Sequence, residues 1–209
     1  MKRLLPVLLF CLLSTPAYAD DIVKEMNRVA AEVATLKLGF GDYVLGLSLT
    51  AKQKEGAKKN RVAKTLKGTY KFRDADINVV IAQENDVVLG IYKHYPEASM
   101  DQVKTVIGDL MLEFGEPTTM AHEKLIYWAF DKDGKISEDV FDFLRQSGGS
   151  ETLATIKFSS SERVAPDAPN KKGEEKQEKA EQKKPSVYVM ITSDPLSKLF
   201  LTYTNPQKQ

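Results

Sequence analysis

Residues 130–137 read FDKDGKIS, where two aspartates and a glycine come close to the spacing of a calcium loop. An EF-hand loop needs oxygen ligands at positions 1, 3, 5 and 9, glycine at 6 and a bidentate glutamate at 12. With Gly134 at position 6, Asp131 and Asp133 fall at 3 and 5, but Ala129 occupies position 1 and Val140 position 12. Starting the loop at Asp131 instead puts Ile136 where the backbone needs glycine. Aspartate-glycine after an apolar run is a strong hairpin signal. The segment therefore reads as a turn, with weak calcium binding through Asp131 and Asp133 as the alternative.

The two histidines, His94 and His122, have no second histidine or cysteine at ligand spacing and read as surface or loop residues. No G-x-S-x-G elbow, S-x-x-K pair or glycine-rich phosphate loop is present. The sequence thus assigns no catalytic residue, no metal ligand and no cofactor. Acids are plentiful, so a hydrolase or glycan-processing enzyme built on a carboxylate pair stands as the second functional reading.

One run has a charge bias. Residues 52–67, KQKEGAKKNRVAKTLK, carry Lys52, Lys54, Lys58, Lys59, Arg61, Lys64 and Lys67 against Glu55 alone. Such runs ordinarily form a solvated loop or hairpin end. The functional reading is an anion-facing patch, whose attraction would fall as salt rises.

The elements that must carry these residues are partly legible. Ser99 and Gln102 make an S-x-x-Q capping box, and Val103, Val106, Ile107, Leu110, Met111 and Phe114 recur at helical spacing. Gly115 and Pro117 end that helix, expected over about 99–114. Ile22, Met26, Val29, Val33 and Leu36 predict an N-terminal helix over 21–36, packed within the chain. A short helix is expected near 138–147, ended by Gly148 and Gly149.

Strands are expected at 77–82 and 87–92, joined as a hairpin, and at 125–130, apolar on both faces. Ala154, Ile156 and Phe158 alternate with polar residues, giving a half-exposed strand. Residues 187–191 read as a buried strand, Asp194-Pro195 as a turn, and 199–203 as a strand closing the sheet. Tyr43, Leu45, Leu47 and Leu49 alternate as an early strand. The fold class is α+β: an antiparallel β-sheet with helices on one face or end.

Residues 160–185 lack aromatics and alternate lysine with glutamate, so they cannot bury enough apolar surface to order themselves. They read as a disordered charged insertion in a single α+β domain spanning 20–209. The segment before that domain, MKRLLPVLLFCLLSTPAYAD, has a basic start, an apolar stretch and the small pair Ala17 and Ala19. It reads as a secretory signal peptide over 1–19, cleaved after Ala19, and is too short to span a bilayer. Cys11 follows bulky Phe10 inside the apolar stretch, which fits a lipoprotein site poorly. Cleavage removes the only cysteine, so the mature chain has no disulfide. The expected location is the periplasm.

The chain has 30 basic and 29 acidic residues. That balance argues against a dedicated nucleic-acid binder. No further apolar run is long enough for a transmembrane segment in the mature chain.

The run MDQVKTVIGDLMLEFGEPTTMAHEKLIYWAF, a capped helix, Gly-x-Pro and a strand with Trp128, resembles the helix-to-strand unit of small bacterial envelope domains of the SmpA/OmlA and beta-lactamase-inhibitor-protein kind. The resemblance spans about thirty residues and implies a fold unit, not functional residues. The first functional expectation is an exported, periplasmic, non-enzymatic binding or envelope-associated accessory module. Its partner is an unknown protein or an anionic envelope component.

Overall fold

The computed structural model describes residues 16–63, 65–147, 152–164 and 184–205. Residues 1–15 of the expected signal segment, Lys64, the expected Gly148-Gly149 stop and most of the charged insertion lie outside the described residues.

The chain is α+β, with one dominant antiparallel sheet. Helix α1 (Pro16–Thr35) leads into a two-strand ribbon, β1 (Gly39–Phe40) and β2 (Tyr43–Val44). Helix α2 (Ala51–Lys59) follows, then β3 (Thr69–Asp74), β4 (Ile77–Ala82) and β5 (Val88–Tyr95). Helix α3 (Met100–Phe114) crosses to β6 (Thr119–Ala121), β7 (Leu125–Asp131) and β8 (Gly134–Lys135). The chain closes with α4 (Glu138–Ser147), β9 (Ala154–Ser160), β10 (Val187–Thr192) and α5 (Asp194–Thr204). Spatial order in the sheet is β3-β4-β5-β10-β9-β7-β6, with β8 paired to β7. β9 and β10, which bracket the charged insertion, are direct neighbours from Ser160↔Val187 to Thr155↔Thr192.

Residues paired across strands share a face, so the registers define the sheet's two surfaces. One cross-strand row runs Phe72, Val79, Ile91, Ile191, Ile156, Trp128, and every member is essentially inaccessible. Met26, Val29 and Val33 of α1, Val103 and Leu110 of α3, and Leu196 and Phe200 of α5 join the same core. Burying a large apolar side chain stabilises by about 1.5–3 kcal/mol, and this face is where that term accumulates. Trp128 also donates its indole N–H to the Gly115 carbonyl at 2.7 Å, tying α3's C-terminus to β7. Lys135 of β8 donates to the carbonyls of Phe114 and Glu116 at 3.1 and 2.8 Å, so a cation meets the negative end of α3.

Helix α3 is capped as its sequence predicts, with the Ser99 and Gln102 side chains and backbones reciprocally bonded. The N-terminal helix begins earlier than expected, at Pro16.

Three expectations are corrected. Residues 199–203 belong to helix α5, not a strand. Ser193 caps the helix by accepting from the Leu196 amide, and Pro195 sits in the first turn, where no amide donor is missed. Residues 51–59 are helix rather than loop, because Thr50 and Gln53 complete a capping box like that of α3. Strand β10 is not buried on both faces: Val187, Val189 and Ile191 are inaccessible, whereas Tyr188 is 37% exposed. The early alternation at 43–49 yields only the short β1–β2 ribbon and a bridge from Ser48 to Val87.

Candidate functional site

Helix α2 stands against the sheet's β3 edge, and its sequence sets what it presents there. Ala57 is buried, so the helix docks on a small apolar residue. Lys54 and Lys58, one turn apart, then flank a cleft completed by Arg61, Tyr70, Gln83 and Asp86. Its volume is about 250 Å³.

The chain returns along β3 immediately after the helix. Arg61 bridges Phe72, the Val62 amide donates to the Lys71 carbonyl at 2.8 Å, and the Arg73 amide donates to the Asn60 carbonyl at 3.2 Å. This places the Arg61 guanidinium 4.7 Å from the centre of the Tyr70 ring. Tyr70 donates its hydroxyl to Asp86 at 2.6 Å, and Lys54 donates to the other Asp86 oxygen at 2.6 Å.

Burial alone would raise the Asp86 carboxyl. The hydrogen bonds from Lys54 and Tyr70, with the Lys54 charge, outweigh that and hold it below its ordinary value of 3.8. Burial, then the Asp86 hydrogen bond and charge, push the Tyr70 phenol well above its ordinary range, and Arg61 opposes them. Asp86 is therefore ionised at neutral pH and Tyr70 stays protonated. The site is a set of cations held around a fixed Tyr–Asp pair.

The structure divides the predicted basic patch. Lys54, Lys58 and Arg61 converge on the cleft. Lys52 and Lys59, at either end of α2, and Lys67, before β3, are exposed and do not line it. Lys64 lies outside the described residues. Lys58 pairs with Glu55 at 2.7 Å and Lys54 with Asp86, but Arg61 meets no carboxylate among the described residues. Tyr70, Gln83 and Asp86 were not singled out from the sequence. Only the β3–β4 pairing brings them to α2, and no linear spacing announces it.

Residues 130–137 form the turn their sequence predicts. Phe130 pairs with Lys135 and Asp131 with Gly134, leaving Lys132 and Asp133 as the two-residue loop. Gly134 has φ +123°, and Asp131 accepts the Asp133 amide at 2.8 Å. Among the described residues no three His, Cys, Asp or Glu side chains gather where a cation would sit.

His94 lies in β5, stacked on Tyr188 with ring centroids 4.1 Å apart and planes within 8°. His122 is in the β6–β7 connection beside Glu123, both at positive φ, and with Met120 and Arg163 they border an open depression of about 390 Å³. Asp109 and Glu113 lie one turn apart on α3. Desolvation raises the Glu113 carboxyl, Lys93 opposes it and Asp109 reinforces it.

Fold and site together define an α+β protein with α1, α3 and α5 in the core on one sheet face, α4 against Tyr127 on the other, and a cation-lined cleft at the β3 edge. Comparison with known protein families, with characterised proteins and with solved structures found no match. Among the described residues no helix is long and apolar enough to cross a membrane.

Proposed function

We propose that this chain is an exported, non-enzymatic binding protein of the periplasm, and that it holds an anionic group of an envelope component in the α2–β3 cleft. The observation that carries this reading is the convergence of Lys54, Lys58 and Arg61 on one cleft whose only acidic lining residue, among the described residues, is Asp86. Arg61 is the part free to bind. Its fork of donors suits phosphate or carboxylate, and stacking on Tyr70 fixes its direction. Lys54 is held by Asp86 and Lys58 by Glu55, so their charges tune the site while Arg61 makes the contact.

The signal-like residues 1–19 support export. Cleavage after Ala19 would trim the start of α1, whose first buried side chain among the described residues is Met26.

Co-sedimentation with vesicles tests the reading. The protein should pellet with phosphatidylglycerol vesicles and not with phosphatidylcholine vesicles, and release as salt rises from about 0.05 to 0.5 M, since screening shortens the reach of exposed charges. The Lys58→Glu, Arg61→Glu double variant should stay in the supernatant. Equal pelleting of that variant would overturn the assignment to this cleft.

A further inference from the structure

The sheet's second face carries an arrangement the cleft does not use. Its central row across the strands is Arg73, Asn78, Tyr92, Met190, Lys157 and Tyr127. A flanking row runs Lys71, Val80, Gly90, Thr192, Thr155 and Ala129, and on the other side His94 pairs with Tyr188. Apart from Gly90 and Ala129, every one of these residues is reached by solvent.

Two features set this face apart from an ordinary solvated sheet. It is basic without balance: these residues include Lys71, Arg73 and Lys157 and no acid, in a chain with nearly equal numbers of acids and bases. Asp131 stands at its β7–β8 margin, and α4 covers the face at β6–β7, where Glu138 bonds Thr119, the cross-strand partner of Tyr127, and Phe141 lies 6.2 Å from the Tyr127 ring centre. Each aromatic ring is also held by a polar neighbour. Lys71 donates to the Tyr92 hydroxyl at 3.1 Å, the Lys157 ammonium lies 5.6 Å from the Tyr127 ring centre, and His94 backs Tyr188 and bonds Ser186 at 3.0 Å.

From these observations we infer that the open sheet face is a docking surface for an acidic polysaccharide. The apolar C–H face of a sugar ring packs on an aromatic ring, its hydroxyls pair with Asn78 and the threonines, and its carboxylates meet the lysines. Tyr92 and Tyr188, diagonal neighbours across β5 and β10, are about 7–8 Å apart, which suits a run of sugars rather than one ring. Gly90, Thr192, Thr155 and Ala129 form a low floor beside them. A peptide bound as an added strand is disfavoured because that mode needs a free sheet edge. Here the β6 edge is three residues long and the β3 edge is already bonded to residues 60–62.

The inference is independent of the cleft, and its test separates the two. Calorimetry on the whole chain should show saturable binding of oligogalacturonate or of hyaluronate oligomers, weaker at high salt. Neither maltooligosaccharide, polyglutamate nor oligothymidylate should bind as well. Lys157→Glu should weaken binding about tenfold, as reversing a charge inside a complementary surface does. Tyr92→Phe should retain binding and Tyr92→Ala lose most of it. Arg61→Glu should leave it unchanged. If Tyr92→Ala fails to fold, Lys157→Glu at the solvated surface decides. Lack of binding to both acidic glycans, equal affinity for any of the other three polymers, or indifference to Lys157→Glu would overturn the inference.

Discussion

Tyr70 and Lys54 hold the same carboxylate from opposite sides, each 2.6 Å from a different oxygen of Asp86. Asp86 itself sits at φ +55°, a left-handed position that aspartate tolerates better than most residues. One short acidic side chain therefore joins helix α2, strand β3 and the β4–β5 connection.

This junction makes stability depend on pH in a defined direction. The Asp86 carboxyl is depressed in the folded state, so the fold binds the ionised form preferentially. The contribution is complete at neutral pH and is lost as pH falls below 3.8 through the lower folded value. Asp86→Asn should be less stable than the parent chain by about 1–2 kcal/mol at pH 7, since a charged hydrogen bond contributes about 1.5–3 kcal/mol and solvent screens this one in part. Urea melts should show that gap closing toward pH 2.5, and a gap independent of pH would contradict the assignment.

Trp128 is fully buried and its indole N–H has one partner, the Gly115 carbonyl. Trp128→Phe removes the donor and leaves a void under α3. Thermal melts should report a loss of about 2–4 kcal/mol, combining the cavity with the unpaired carbonyl. Hydrogen exchange should rise first in the last turn of α3.

Gly46 packs directly against the α1 backbone. A Cβ there would stand 2.3 Å from the Ala30 carbonyl oxygen, and the backbone is at φ +83°. Backbone cannot yield as a side-chain tip can, so Gly46→Ala should cost more than about 2 kcal/mol, the scale of overpacking plus left-handed strain. Retention of the parental melting temperature would refute this reading.

The β3–β4 hairpin offers the opposite change. Asp74 pairs with Ile77 across a two-residue loop, and Ala75 adopts φ +51°. Alanine at a left-handed position costs about 1 kcal/mol that glycine does not. Ala75→Gly should therefore raise the denaturation midpoint slightly, and the unchanged hairpin should keep the Arg73-to-Ala75 hydrogen bond.

What the sequence disclosed followed how local each signal was. Helix α3 has its cap, its stripe and its terminating glycine within seventeen residues, so nothing distant was needed. Helix α5 reads as strand by residue type because Phe, Thr and Tyr favour strands. Their spacing was helical all along, with Leu196, Leu199, Phe200 and Tyr203 at i, i+3, i+4 and i+7. Helix α2 has no apolar stripe to announce it, its lysines leaving the Thr50–Gln53 box as the one local signal. The cations of the site were legible as a charge run. Their partners Tyr70 and Asp86 were not, because strand pairing rather than sequence distance delivers them.

The β9–β10 junction has a practical corollary. Ser161 donates its amide to the Ser186 carbonyl and its hydroxyl accepts the Ser186 amide, while Ala98 donates to Pro185. The two strands are thus clasped at their own ends, and what joins them does not set their alignment. Doubling that connector would cost only about 0.6 kcal/mol in closure entropy. It is a natural port for grafting a fluorophore, an epitope or a whole guest protein, and a place where evolution is free to change length and composition.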